Sequence, residues 1–251
     1  MKKPNRAARR FSSDEIEKAR LVQARLLNRR APDFPALAFA GYSLAARCVG
    51  GDFYDFLDLG PGRLGLVLGD VSGNGIAAAL LMASIQATLR SQCLAGITDV
   101  ARLLGTVDRL FAESTSDNEF ASLFAADYSR DDHRLLYVNC GHPPPLVLRS
   151  DGAVDRLAAT APLVGIFDDW QCGVAETELS AGDTLLIFSD GASEALDGEG
   201  KEFGERRLAS LLRHYRHRSV GELVKGIARC VCVFSNGHRR DDLTFVAARP
   251  V

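Results

Sequence analysis

The chain has 251 residues, 47% of them hydrophobic and 25% charged, with a formal net charge of -2. That composition suits a globular protein with a sizeable core and excludes disordered or fibrous classes. The balanced charge and the lack of any apolar run of roughly 18–20 residues leave neither nucleic acid nor membrane as an expected partner.

Lys2, Lys3, Arg6, Arg9 and Arg10 read as a solvated terminus. Residues 12–30 then predict an amphipathic helix. Ser12 or Ser13 caps it, and Glu15 completes a capping box with Ser12. Ile16, Ala19, Val22 and Leu26 recur at helical spacing, and Asn28, Pro32 and Pro35 end the pattern. This helix is expected either to pack on the domain or to serve as a regulatory or dimerising element. Residues 1–35 are thus read as a tail and helix ahead of a single domain over 36–251.

Residues 37–46 predict a strand. Gly50 and Gly51 allow a bend before a second strand, and Asp58 to Gly62 close a hairpin onto a third at 63–69. An apolar helix follows over about 76–94, and an amphipathic one over about 99–113. Strands are expected at about 121–128 and 134–140. Pro143, Pro144 and Pro145 then impose a fixed loop, because proline has no N–H for a helix or ladder. A short strand at 146–149 and a loop over 158–172 lead to strands at 173–178 and 183–188. Helices over 204–215 and 219–234 precede a last strand over 239–248. This order favours an α+β, four-layer α-β-β-α sandwich of two mainly antiparallel sheets, with helices outside and the N-terminal helix in front.

Six cysteines, Cys48, Cys93, Cys140, Cys172, Cys230 and Cys232, are scattered and follow no secretory signal. They read as free thiols of a reducing cytoplasm.

Asp52, Asp70, Asp190 and Asp241 share one context. Each stands at the end of an apolar run or beside a glycine turn. Taken singly, such residues are usually turn formers or caps. Brought together at one sheet edge, they repel: two like charges at about 4 Å cost about 4 kcal/mol at an effective dielectric near 20. Cations remove that cost, and an all-oxygen donor set favours magnesium or manganese over zinc.

Five stretches carry a resemblance. They are Val49-Gly50-Gly51-Asp52-Phe53-Tyr54-Asp55, Gly69-Asp70-Val71-Ser72-Gly73-Asn74-Gly75, Asn139-Cys140-Gly141-His142-Pro143-Pro144-Pro145-Leu146, Ser189-Asp190-Gly191-Ala192-Ser193-Glu194-Ala195 and Asp241-Asp242-Leu243-Thr244. In this order they resemble the motif set of PPM-type, metal-dependent serine/threonine phosphatases, best the bacterial SpoIIE-like branch that regulates sigma factors. The resemblance runs from about residue 16 onward. It implies a phosphatase domain over 36–251 with two Mn2+ or Mg2+ ions. By motif position, Asp70 bridges both ions. Asp190 and Asp241 complete one, and the Val71 carbonyl and Asp52 serve the other. Asp70, Asp190 and Asp241 are the residues on which catalysis is expected to rest. Asp242 is expected to support rather than ligate. Arg47 is spaced like a phosphate-holding arginine of eukaryotic relatives, and a plain surface role fits it equally. The resemblance further implies a phosphorylated STAS-type protein as substrate, with an upstream regulator or a second copy acting at the N-terminal helix.

One position departs from the pattern. Many relatives carry a histidine two residues after the bridging aspartate, and here Ser72 stands there. The general acid is thus unassigned, and His142 is expected to order its loop. Gly73-Asn74-Gly75-Ile76-Ala77-Ala78 mimics a dinucleotide fingerprint, but no second strand ending in an acid follows about 20 residues on. The remaining alternative is an inactive phosphatase fold that only binds a signalling partner.

Overall fold

The computed structural model describes residues 12–116 and 118–251; the basic stretch from Lys2 to Arg10 lies outside them. The chain runs α1 (Ser13–Leu27), β1 (Leu37–Leu44), β2 (Phe53–Asp58), β3 (Arg63–Val71), α2 (Gly75–Leu94), α3 (Val100–Ala112), β4 (Ala121–Ser129) and β5 (Arg134–Cys140). It continues through β6 (Leu146–Leu148), β7 (Val154–Arg156), β8 (Ala175–Glu178), β9 (Thr184–Phe188), α4 (Asp190–Ser193), α5 (Gly204–His214), α6 (Val220–Phe234) and β10 (Leu243–Pro250). The strands form two sheets, in the orders β1-β10-β9-β6-β7 and β2-β3-β4-β5-β8.

Side chains alternate across a strand, so each strand contributes to two layers. In β3, Leu64, Leu66 and Leu68 enter the space between the sheets, whereas Val67 and Val71 meet α2 and α3. In β9, Leu185 and Ile187 enter that same space, whereas Leu186 and Phe188 meet α5 and α6. Three apolar layers therefore glue four layers of structure, α2/α3, sheet, sheet, α5/α6. This is the sandwich expected from the sequence.

Helix starts follow their capping chemistry. Glu15 N donates to Ser12 Oγ at 3.2 Å while Ser12 N donates to Glu15 Oε2 at 2.8 Å. Ser219 and Glu222 repeat the arrangement at α6, and Asp99 Oδ1 accepts from Arg102 N at 2.8 Å at α3. Each such cap is worth about 1 kcal/mol.

Several expectations need correction. Helix α1 ends at Leu27, where the Asn28 side chain and amide both turn back to the Ala24 carbonyl. Val22, expected on its packed stripe, is 48% exposed, and Gln23 is the buried residue instead. Gln23 Nε2 donates to the Gly50 carbonyl at 2.7 Å, and Gly50 N donates to Gln23 Oε1 at 3.1 Å. A polar residue is buried there because it satisfies the backbone of the glycine bend. β3 runs through Asp70 to Val71, two residues further than expected, because β4 pairs with it along its whole length. β7 and the one-turn α4 were not foreseen, and β10 begins at Leu243 rather than 239.

Candidate metal centre

Every acidic candidate arrives on a strand end. Asp70 is the penultimate residue of β3 and shares the parity of Leu66 and Leu68, so it faces the space between the sheets. Asp52 immediately precedes β2, Asp190 follows β9 after Ser189, and Asp241 and Asp242 precede β10. β2 and β3 belong to one sheet, and β9 and β10 to the other. Asp70 and Asp190 line one cavity of about 400 Å3. Asp190 and Asp241 line a second, and Asp52 and Asp242 a third.

Electrostatics show that these groups crowd one another. Burial raises the Asp52 carboxyl well above its usual range, and the charges of Asp70 and Asp242 add to the effect. Burial, then Asp190 and Asp241, push Asp70 up to about 7, although a hydrogen bond with Asp52 opposes the shift. Burial, then Asp241 and Glu194, push Asp190 up to about 6. Asp241 is raised as well, chiefly by burial. Lost hydration and like charge both disfavour the ionised form, and a cation reverses both.

The donor set fits hard divalent ions. Asp52 Oδ2 and Asp190 Oδ1 are buried and have no hydrogen-bond partner. The Val71 carbonyl turns toward the glycine bend, so that a Cβ at Gly51 would lie 2.5 Å from it. All these donors are oxygens, the chemistry that magnesium and manganese take. Among the described residues, no three His, Cys, Asp or Glu side chains stand close enough together to hold a metal ion as they are placed.

The surrounding residues hold this arrangement. Asp242 Oδ1 accepts from Ala46 N at 2.7 Å and its Oδ2 from Asp52 N at 3.3 Å. Its carboxylate accepts from backbone amides on both sides of the glycine bend. A Cβ at Gly50 would strike that carboxylate, and a Cβ at Gly191 would strike the Asp242 carbonyl. Asp55, three residues after Asp52, accepts from Arg90 Nε of α2 at 2.7 Å and ties β2 to the helix layer. Ser72 and Phe120 exchange two hydrogen bonds, N to carbonyl at 2.8 Å and Phe120 N to Ser72 Oγ at 2.9 Å. Arg47 is exposed and lines the Asp52 cavity, where Arg239 joins it. His142 N donates to Asn139 Oδ1 at 2.8 Å, which orders the proline loop. Burial pushes the His142 ring down to about 3, so it carries no spare proton at neutral pH. Sequence reasoning gave no role to Glu194, which lines both cavities that contain Asp190. Its place four residues after Asp190, one helical turn on, was the available signal.

The profile of the family described as Stage II sporulation protein E (SpoIIE) matches residues 60–251. Phosphoserine phosphatase RsbU of Bacillus subtilis is 30% identical over 237 residues, which make up 94% of this chain and 70% of that protein. Of two further relatives the chain spans 35% and 45%. The RsbU and RsbW domains of Rv1364c from Mycobacterium tuberculosis give a TM-score of 0.75 at 27% identity, over 88% of this chain and 61% of that one. The catalytic domain of the serine/threonine protein phosphatase PstP, in complex with 2 manganese ions, gives 0.62 at 19% identity, over 86% and 98%, a likeness of fold.

Proposed function

Because the chain belongs to the SpoIIE family of PP2C-type serine/threonine phosphatases, we propose that its acidic centre hydrolyses the phosphomonoester of a phosphorylated STAS-type protein in a sigma-factor partner switch. In this reading Asp52, Asp70, the Val71 carbonyl, Asp190 and Asp241 would hold two ions, Mn2+ or Mg2+, and Asp70 would serve both. Such a pair supplies positive charge against the phosphate and activates water. The observation that carries the reading is the meeting of acids from both sheets with two buried carboxylate oxygens left unpaired. The RsbU relative and the manganese-bearing PstP domain support it.

The chain's own residues supply the framework. Asp242 and Gln23 hold the glycine bend and so place Asp52. Asp55 and Arg90 brace β2 against α2. Ser72 holds Phe120 at the start of β4, at the rim of the cavity that Asp70 and Asp190 share. Neutral His142 gives up no proton there. Helix α1 is the contact point for an upstream regulator or a second copy, a role supported by Leu21 and Val22, each 48% exposed. A cytoplasmic setting accompanies this reading, and among the described residues no helix is long and apolar enough to cross a membrane.

The test is dephosphorylation of phosphorylated STAS proteins by chelated protein, with and without added Mn2+. Activity is expected to vanish on chelation and return with Mn2+. Full activity after exhaustive chelation refutes the mechanism. A folded protein that binds the phosphoprotein without turning it over would favour the inactive, partner-binding alternative.

A further inference from the structure

The buried ring of His142 has more to do than order a loop. It is 3% exposed and lines the cavity shared by Asp70 and Asp190. Its Nδ1 lies 2.8 Å from Ser122 Oγ. Ser122 sits on β4 directly across from Asp70 on β3. Such facing residues have Cβ atoms about 4.5–5.5 Å apart.

The ring is also within reach of the other sheet. The Phe188 carbonyl acts on the ring against the effect of burial, and Nε2 is a buried nitrogen with no hydrogen-bond partner. Phe188 ends β9, two residues before Asp190. β6 and β9 pair Leu146 with Leu186. Extending that register sets Phe188 opposite Pro144, which has no N–H to offer its carbonyl.

We propose that His142 is a positioning residue, a strut that receives the Ser122 hydroxyl proton at Nδ1 and presents Nε2–H to the Phe188 carbonyl. It thereby fixes the separation of Asp70 and Asp190, which ride on different sheets. It also turns the Ser122 hydrogen away from Asp70, leaving the Asp70 oxygens free for cations. The strut rests on the metal-centre reading given above.

The test uses the full chain. Nitrogen-15 shifts of the ring, assigned against the spectrum of His142→Phe, should report a neutral Nε2–H tautomer at pH 7. Mn2+ binding, followed by the paramagnetic resonance of the free ion, should weaken about 10–100-fold in Ser122→Ala and His142→Phe, the usual cost of losing a partner behind a ligand. His142→Gln, whose amide carries one acceptor and one donor, should recover most of the affinity. Ser122→Ala removes only one end of the strut and decides the matter if His142→Phe does not fold. A protonated ring or an Nδ1–H tautomer overturns the strut. Equal Mn2+ affinity in the folded variants and the wild type overturns it too. Wild-type protein that takes up no Mn2+ overturns the metal-centre reading itself, and the strut's role falls with it.

Discussion

Replacing Asp70 with Asn should make the metal-free protein more stable while abolishing its activity. The folded structure holds the Asp70 carboxyl at about 7, against about 3.9 in an unfolded chain. A folded value above the unfolded one means stability that is full below about pH 4 and is lost as the pH rises toward 7. At pH 8 the roughly three-unit difference is worth about 4 kcal/mol at about 1.36 kcal/mol per unit. Asp52, buried beside Asp70 and raised by its charge, shares that cost, so the expected gain in Asp70→Asn is about 2–4 kcal/mol at pH 8. For a chain of this size that corresponds to roughly 4–16 °C in thermal midpoint. The assay is thermal and urea unfolding in chelator at pH 8 and near pH 4, where the gain should shrink toward zero. Added Mn2+ should then stabilise the wild type by linkage and leave the variant unchanged. A variant that is less stable at pH 8, or that gains equally at both pH values, refutes the reasoning.

Asp190→Asn should lose more activity than the about 100-fold typical of residues behind a ligand, with unchanged far-ultraviolet circular dichroism; near-normal turnover would make Asp190 structural. Mn2+ affinity measured by calorimetry should fall as the pH drops below 7, because Asp70 at about 7 and Asp190 at about 6 must release protons first. A flat affinity between pH 5 and 8 would contradict the crowding described above. Asp242→Ala should cost about 1–3 kcal/mol in urea unfolding, since the amides of Ala46 and Asp52 lose their acceptor. Gly191→Ala should lose activity outright, because its methyl meets the Asp242 carbonyl; wild-type turnover in that variant would show that the two segments need no close approach.

Much of this arrangement was legible in the residues. Apolar runs and the paired glycines marked the long strands, and Ser12 marked the start of α1. The acids announced themselves by recurring at strand ends. Three-residue β7 and four-residue α4 carry too few positions to set a period, so they passed unseen. Gln23 broke the apolar stripe of α1 because its partner, Gly50, lies 27 residues away. The same limit hid the double reach of His142. Ser122 and Phe188 are its neighbours only once two sheets have closed, and nothing local in the proline loop names either one.

The position of β10 has a consequence for synthesis. β1 pairs only with β10 within its sheet, and 196 residues separate Ala46 from the Asp242 carboxylate that accepts its amide. At roughly 5–20 residues per second, a ribosome needs about 10–40 s to bridge that gap. Through that interval β1 is an open edge, and the emerging polypeptide lacks both Asp241 and the grip on Asp52. A nascent chain that ends before β10 therefore cannot assemble the acidic centre proposed above, which waits for the strand that fits between β1 and β9.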